Sequence, residues 1–145
     1  MQIKCVNIAI ILVFVLLLSG LAGCSAPDAP KVSNYSGYAI DIYLNDLQLG
    51  SVNLHDLQGL KQVSFDASGK TETGPTLSSV LGLETINKFS SVTVYGVSAQ
   101  LTLQKVQVNN NVILGITDQG KVDLAELDTP SNTWIAGVTK IVITQ

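Results

Sequence analysis

The sequence contains no arginine. Its eight basic residues are all lysine, set against eleven acidic ones, for a net charge of −3. Nucleic-acid binding needs a positive footprint that displaces counterions, and this balance opposes it. It equally opposes a polybasic patch for anionic lipids. Without a guanidinium, no side chain offers the bidentate fork that grips phosphate or carboxylate. Histidine is also scarce. His55 is the only one, so a histidine-based triad or a His-rich metal site must use it or not exist. Cysteine occurs only at positions 5 and 24, leaving residues 25–145 without a thiol. A domain there has no disulfide and holds together by its core alone. No repeat period is visible, and no Gly-x-Ser-x-Gly elbow marks a nucleophile.

What is present begins with a leader. Lys4 supplies a positive start, Ile8 to Leu18 is unbroken apolar sequence, and Ser19 to Cys24 is small. A charged start, an apolar stretch of about 7–15 residues and a small-residue cleavage region form a secretory signal peptide. A spanning helix needs about 20 apolar residues. The segment from Val6 to Ala22 approaches that length only by including Asn7, Ser19 and Gly20, which makes an uncleaved anchor the alternative. Leu21-Ala22-Gly23-Cys24 resembles the bacterial lipobox. In that family the Cys thiol receives a diacylglycerol, the bond before it is cut, and the Cys becomes the first mature residue. The resemblance therefore implies lipid attachment at Cys24, with residues 1–23 as the lipoprotein signal peptide. One acyl chain holds a protein to a bilayer only marginally, whereas two hold it stably. The expected location is extracytoplasmic, on a bacterial cell membrane or outer membrane. Past the leader the charge becomes −4, because Lys4 departs with it.

Residues 24–37 carry Pro27 and Pro30 and few large apolar groups, and read as a flexible tether. Asn34-Tyr35-Ser36 fits the N-glycosylation pattern, which carries no weight in a bacterial lipoprotein. Residues 38–145 suit one small domain. Tyr38 to Leu44 alternates, with Ile40, Ile42 and Leu44 on one face, which predicts a half-buried strand. Asn45-Asp46 is a turn and Leu47 to Val52 a second strand. Asn53 caps a helical turn with Asp56 in its first turn and Leu54, Leu57 and Leu60 facing inward. Val63 to Phe65 is a third strand. Residues 66–74, DASGKTETG, are polar and turn-rich, and read as a mobile loop. Pro75 then opens a helix whose stripe is Leu77, Val80 and Leu81, closed by Gly82. Further strands are expected at Ser91 to Gly96, Ala99 to Leu103, Val112 to Ile116, Val122 to Ala125 and Val138 to Thr144. The unbroken apolar run 112–116 suggests a strand covered on both faces, and Asp118 to Lys121 a hairpin turn. Six to eight strands with two short helices predict a strand-rich α+β domain.

Four segments in order resemble the molybdopterin-binding domain of sulfite-oxidase-like proteins over about residues 52–143. They are Gly74-x-Thr76-Leu77-x-x-Val80-Leu81; Val92-x-Val94-Tyr95-Gly96; Val112-Ile113-Leu114-x-x-x-Asp118-x-Gly120; and Trp134-x-x-x-Val138-x-x-Ile141. The resemblance implies that family's α+β fold. Its metal-ligating Cys and its phosphate-holding Arg residues have no counterpart here, so no cofactor and no site residue carry over. A second resemblance is of Thr73 to Ser79 to the segment at which some envelope proteins attach FMN to a Thr. It would place a flavin on Thr76, with Pro75 where Ala is expected.

Other candidates have simpler readings. His55 beside Asp56 reads as a surface residue, with a ligand or base as the alternative. Asp118, Asp123, Glu126 and Asp128 read as a solvated acidic edge, with Ca²⁺ coordination as the alternative. Asn109-Asn110-Asn111 is a turn, and Trp134 plugs the end of the core or stacks on a ligand. The expected function is a membrane-anchored envelope lipoprotein with a non-catalytic domain that binds a small molecule or a protein. The alternative is a redox protein carrying a molybdopterin-type or covalent flavin cofactor.

Overall fold

The computed structural model describes residues 37–67, 69–83 and 88–145. The leader, Cys24 and nearly all of the tether lie outside the described residues. Among those described, nine strands and two short helices form a strand-rich α+β domain. No helix among them is long and apolar enough to cross a membrane.

The main sheet has five strands: β1 (Ala39–Leu44), β2 (Leu47–Asn53), β5 (Ser91–Tyr95), β6 (Gln100–Gln104) and β9 (Lys140–Thr144). Their order is β2-β1-β9-β5-β6. The last strand enters between β1 and β5, parallel to β1 and antiparallel to β5. Alternation dictates which face is buried. Ile40 and Ile42, Val92 and Val94, and Ile141 and Ile143 all point into the core, each 1% exposed or less. Cross-strand pairing aligns them, Ile42 with Ile141 and Val94 with Ile141. Slipping any of these strands by one residue would move its apolar row to solvent, which fixes the register. The turn from β1 to β2 places Asn45 at φ 52°, a left-handed conformation that Asn tolerates.

Helix α1 (Leu54–Gly59) starts at the expected cap. Asn53 Oδ1 accepts from the Asp56 N–H at 3.0 Å, and Asp56 Oδ2 accepts from the Asn53 N–H at 3.0 Å. This reciprocal box satisfies two N–H groups that a helix start leaves unpaired. Leu54 and Leu57 are buried below it.

Two hairpins complete the fold: β3 (Gln62–Ala67) with β4 (Lys70–Pro75), and β7 (Val112–Ile116) with β8 (Val122–Glu126). The first corrects the sequence reading of 66–74 as a mobile loop. The face of β4 turned inward carries Glu72 and Gly74, so the strand lacks the apolar alternation that would reveal it. Pro75 ends β4 and is not the first helical residue. Helix α2 (Leu77–Leu83) begins two residues later and includes Gly82. Thr76 caps it, its Oγ1 accepting from the Ser79 N–H at 3.1 Å.

Strand β7 is covered on both sides as its composition suggests, with Val112, Ile113 and Leu114 1% exposed or less. Strand β4 crosses β7 closely. A Cβ on Gly74 would lie 1.8 Å from the Leu114 carbonyl oxygen, so only glycine permits this approach. Thr76 bridges to Ile113 just beyond the crossing.

Candidate functional site

The crossing of β4 over β7 builds one side of a cleft of about 660 Å³. Strand β4 contributes Lys70 and Glu72. The β7–β8 turn contributes Thr117, Asp118 and Lys121, and β8 contributes Asp123. The β5–β6 turn closes it with Val97 and Ser98, beside Gly137 from the segment leading to β9.

Each part has a local cause. Gly120 at φ 69° completes the turn, where Thr117 N–H donates to Lys121 O at 2.9 Å and Gly120 N–H to Thr117 O at 2.9 Å. Asp123 Oδ1 accepts from the Gly137 N–H at 2.8 Å, tying β8 to the pre-β9 segment. The Val97 N–H donates to Ala136 O at 3.2 Å, so the same segment also holds the β5–β6 turn.

Glu72 is the unusual member. The residue is 2% exposed, and burying a carboxylate costs several kcal/mol unless it is compensated. Gly115 makes room for it, since a Cβ there would stand 2.8 Å from Glu72 Oε2. Its counter-charge is Lys70, whose Nζ lies 2.5 Å from Oε1. The two groups form a close ion pair, and no other donor reaches that oxygen among the described residues. The carboxylate is almost wholly buried while the lysine side chain is 60% exposed. The side-chain hydrogen bond to Glu72 raises the Lys70 pKa above its usual value. Slight desolvation opposes the shift, and the charges of Glu72, Asp123 and Asp118 add to it.

Beside the cleft, the Tyr38 hydroxyl donates to the Val138 carbonyl. Burial raises its pKa, the Val122 backbone acts in the opposite direction, and the charge of Asp123 adds to the rise.

The sequence candidates disperse. Asp118 and Asp123 reach the cleft. Glu126 instead accepts from the Thr129 hydroxyl at 2.6 Å, and neither it nor Asp128 lines the cleft. Among the described residues no three acidic, histidine or cysteine side chains converge to hold a metal, which corrects the Ca²⁺ alternative. His55 is exposed on α1, outside the lining. Asn109 forms the expected turn, its Oδ1 accepting from the Asn111 N–H at 2.8 Å. Trp134 does not plug the core. It is half-buried, donates through Nε1 to Thr129 O at 3.0 Å and meets the Phe65 ring edge-on at 6.3 Å. Thr76 is 6% exposed, and its hydroxyl is engaged with Ser79 Oγ at 2.7 Å. Sequence reading missed Lys70 and Glu72. Their one signal is Lys-x-Glu at the two-residue spacing that puts both on one face of a strand.

The donor set does not fit a molybdenum pterin. The cleft offers two lysines against three carboxylates and no thiol or imidazole, so an anionic phosphate would meet Glu72, Asp118 and Asp123. Comparison with protein-family models finds no match, and comparison with curated proteins finds none either.

Proposed function

We propose that this chain is a lipid-anchored bacterial envelope lipoprotein whose domain is a non-catalytic binding module, with the cleft beside β4 as its ligand site. The cleft carries the binding half of this reading. It gathers fixed charges of both signs around a buried carboxylate, held by hydrogen bonds from three separate turns and strands. Such a concave, polar, pre-built surface suits recognition of a small charged group. The anchor half rests on Leu21-Ala22-Gly23-Cys24 and the apolar run before it.

The finer fold assignment belongs to the same reading. The matching segments fall on the β4–α2 junction, on β5, on β7 with its turn, and on the Trp134 segment before β9. That order supports a domain of the sulfite-oxidase molybdopterin-binding type without its cofactor ligands.

Two measurements test the two halves. Labelled palmitate should be incorporated into the wild type and not into Cys24→Ala, and equal labelling would overturn the anchor. Native mass spectrometry of the full chain taken from its own membrane should show a bound mass. That mass should disappear in Ser98→Trp, which fills the mouth of the cleft. A mass retained in that variant would place the ligand elsewhere.

A further inference from the structure

We infer that two copies of this chain pair along β6, antiparallel and centred on Thr102, so that their main sheets join into one; the inference is independent of the cleft reading. Strand β6 is an edge of the main sheet. Edge strands ordinarily carry a lysine, a proline or a bulge that blocks further pairing. Gln100–Gln104 has none of these. Its residues are Gln, Leu, Thr, Leu and Gln, in unbroken register with β5.

The open backbone groups are identifiable. The Gly96 N–H donates to Ala99 O at 2.8 Å and the Lys105 N–H to Ser90 O at 2.9 Å. Alternation from these two points turns the backbone of Leu101 and Leu103 toward β5 and that of Gln100, Thr102 and Gln104 outward. The Gln104 N–H donates to Gln107 Oε1 at 2.7 Å, an exposed side-chain contact. No described strand pairs with Gln100 or Thr102 on that side.

What favours a second copy is the order of the residues. Gln100-Leu101-Thr102-Leu103-Gln104 reads the same in both directions. An antiparallel pair about Thr102 therefore sets Gln opposite Gln, Leu opposite Leu and Thr opposite Thr. Thr102 and its copy exchange both N–H···O bonds, and Gln100 does so with Gln104 of the second copy. That exchange replaces the Gln107 contact, one exposed hydrogen bond for another, at little net cost. Leu101, 36% exposed, comes against Leu103 of the second copy, 3% exposed, at the closer spacing of a non-hydrogen-bonded pair. The Thr93 and Thr102 hydroxyls already bond at 2.9 Å, and the pairing extends that row across the junction.

The same register carries Val97 of each copy to the Lys105–Gln107 turn of the other. Val106 in that turn is 86% exposed and Val97 is 78% exposed, the two most exposed large apolar side chains among the described residues. Charge does not oppose the approach, since neither β5 nor β6 bears any. Lys105, which follows β6, would stand about 20 Å from its copy, at about 3.4 Å per residue of strand. That exceeds the screening length of about 8 Å at physiological salt.

Disulfide trapping tests the register. Thr102→Cys sets its thiol opposite its own copy at a Cα separation of about 5.5 Å, within the range a disulfide spans. The full-length variant in detergent should give a covalent dimer under mild oxidation. Non-reducing electrophoresis reads it against wild type, whose Cys5 and Cys24 set the background. Gln100→Cys and Gln104→Cys should each crosslink about tenfold more slowly or less, because each lies about 14 Å from its own copy. Mixed together, those two variants should form the heterodimer. Thr102→Cys crosslinking no faster than Thr93→Cys, one strand further in, would overturn the inference. Equal crosslinking at every position would overturn it too, since association through the apolar leader gives that result. Thr102→Lys sets like charges opposite each other at an exposed position. It should weaken the dimer at least about fivefold in sedimentation of the same full chain, and a dimer as tight as wild type would refute the pairing.

Discussion

Three glycines, in β4, β7 and α2, make one connected prediction. At Gly74 an added methyl would lie 1.8 Å from the Leu114 carbonyl oxygen and 2.6 Å from its carbon. An ordinary contact is about 3.4 Å or more, and both atoms belong to the backbone of Leu114, which is fully buried. Either β4 or β7 must retreat by about 1.5 Å, straining the Thr76–Ile113 bridge and the packing on Leu77. Overpacking a core costs about 1–3 kcal/mol, and more where the neighbour is rigid. We therefore expect Gly74→Ala to destabilise the domain by about 3 kcal/mol or more, a fall in Tm of about 10 °C or more. Gly115→Ala is gentler, because its methyl would meet Glu72 Oε2 at 2.8 Å. A carboxylate can rotate, so about 1 kcal/mol is expected. Gly82 lies within α2 with nothing within 4 Å of the added carbon. Gly82→Ala should stabilise by about 0.5–1 kcal/mol. Urea denaturation followed by fluorescence of the single tryptophan measures all three, since Trp134 packs on the β3–β4 hairpin through Phe65. A Gly74→Ala midpoint within about 0.5 kcal/mol of wild type would falsify the close crossing of β4 over β7.

Other expectations follow from local contacts. Asn53→Ala removes one arm of the α1 capping box and should cost about 1 kcal/mol by the same urea assay. Stability should fall on the alkaline side. The raised folded-state pKa values of Tyr38 and Lys70 mean that the unfolded chain releases those protons first. Their contribution is whole below the unfolded values near pH 10 and is lost as pH rises through the folded values. Thermal midpoints recorded from neutral to strongly alkaline pH should show this decline, and Tyr38→Phe should make it shallower. An unchanged slope in that variant would remove Tyr38 from the account. Thr76→Val keeps the shape but loses the α2 cap and the bond to Ser79. It should cost about 1–2 kcal/mol in urea midpoints, and a neutral result would mean that the cap is made by another group.

Much of the architecture was legible in the chain because burial leaves a period. The alternation of Ile40, Ile42 and Leu44, the Val92–Val94 pair and the run 112–116 each locate a strand. The Asn53/Asp56 spacing locates a helix start. In every case the local pattern and the tertiary environment ask for the same residues. The candidate site was not legible in this way. Lys70 and Glu72 sit in a polar stretch that reads as a loop, since its inward positions are a glycine and a carboxylate.

The sequence by itself determined the charge balance, the absence of thiols and arginines past Cys24, the faces of most strands and the cap of α1. These depend on composition and on spacing along one chain. Tertiary structure alone decided that β9 enters between β1 and β5, that β4 crosses β7 at Gly74, and that Glu72 is buried against Gly115. Those outcomes depend on which segments meet across long separations. A glycine or a glutamate carries no period to announce the neighbour that makes it necessary.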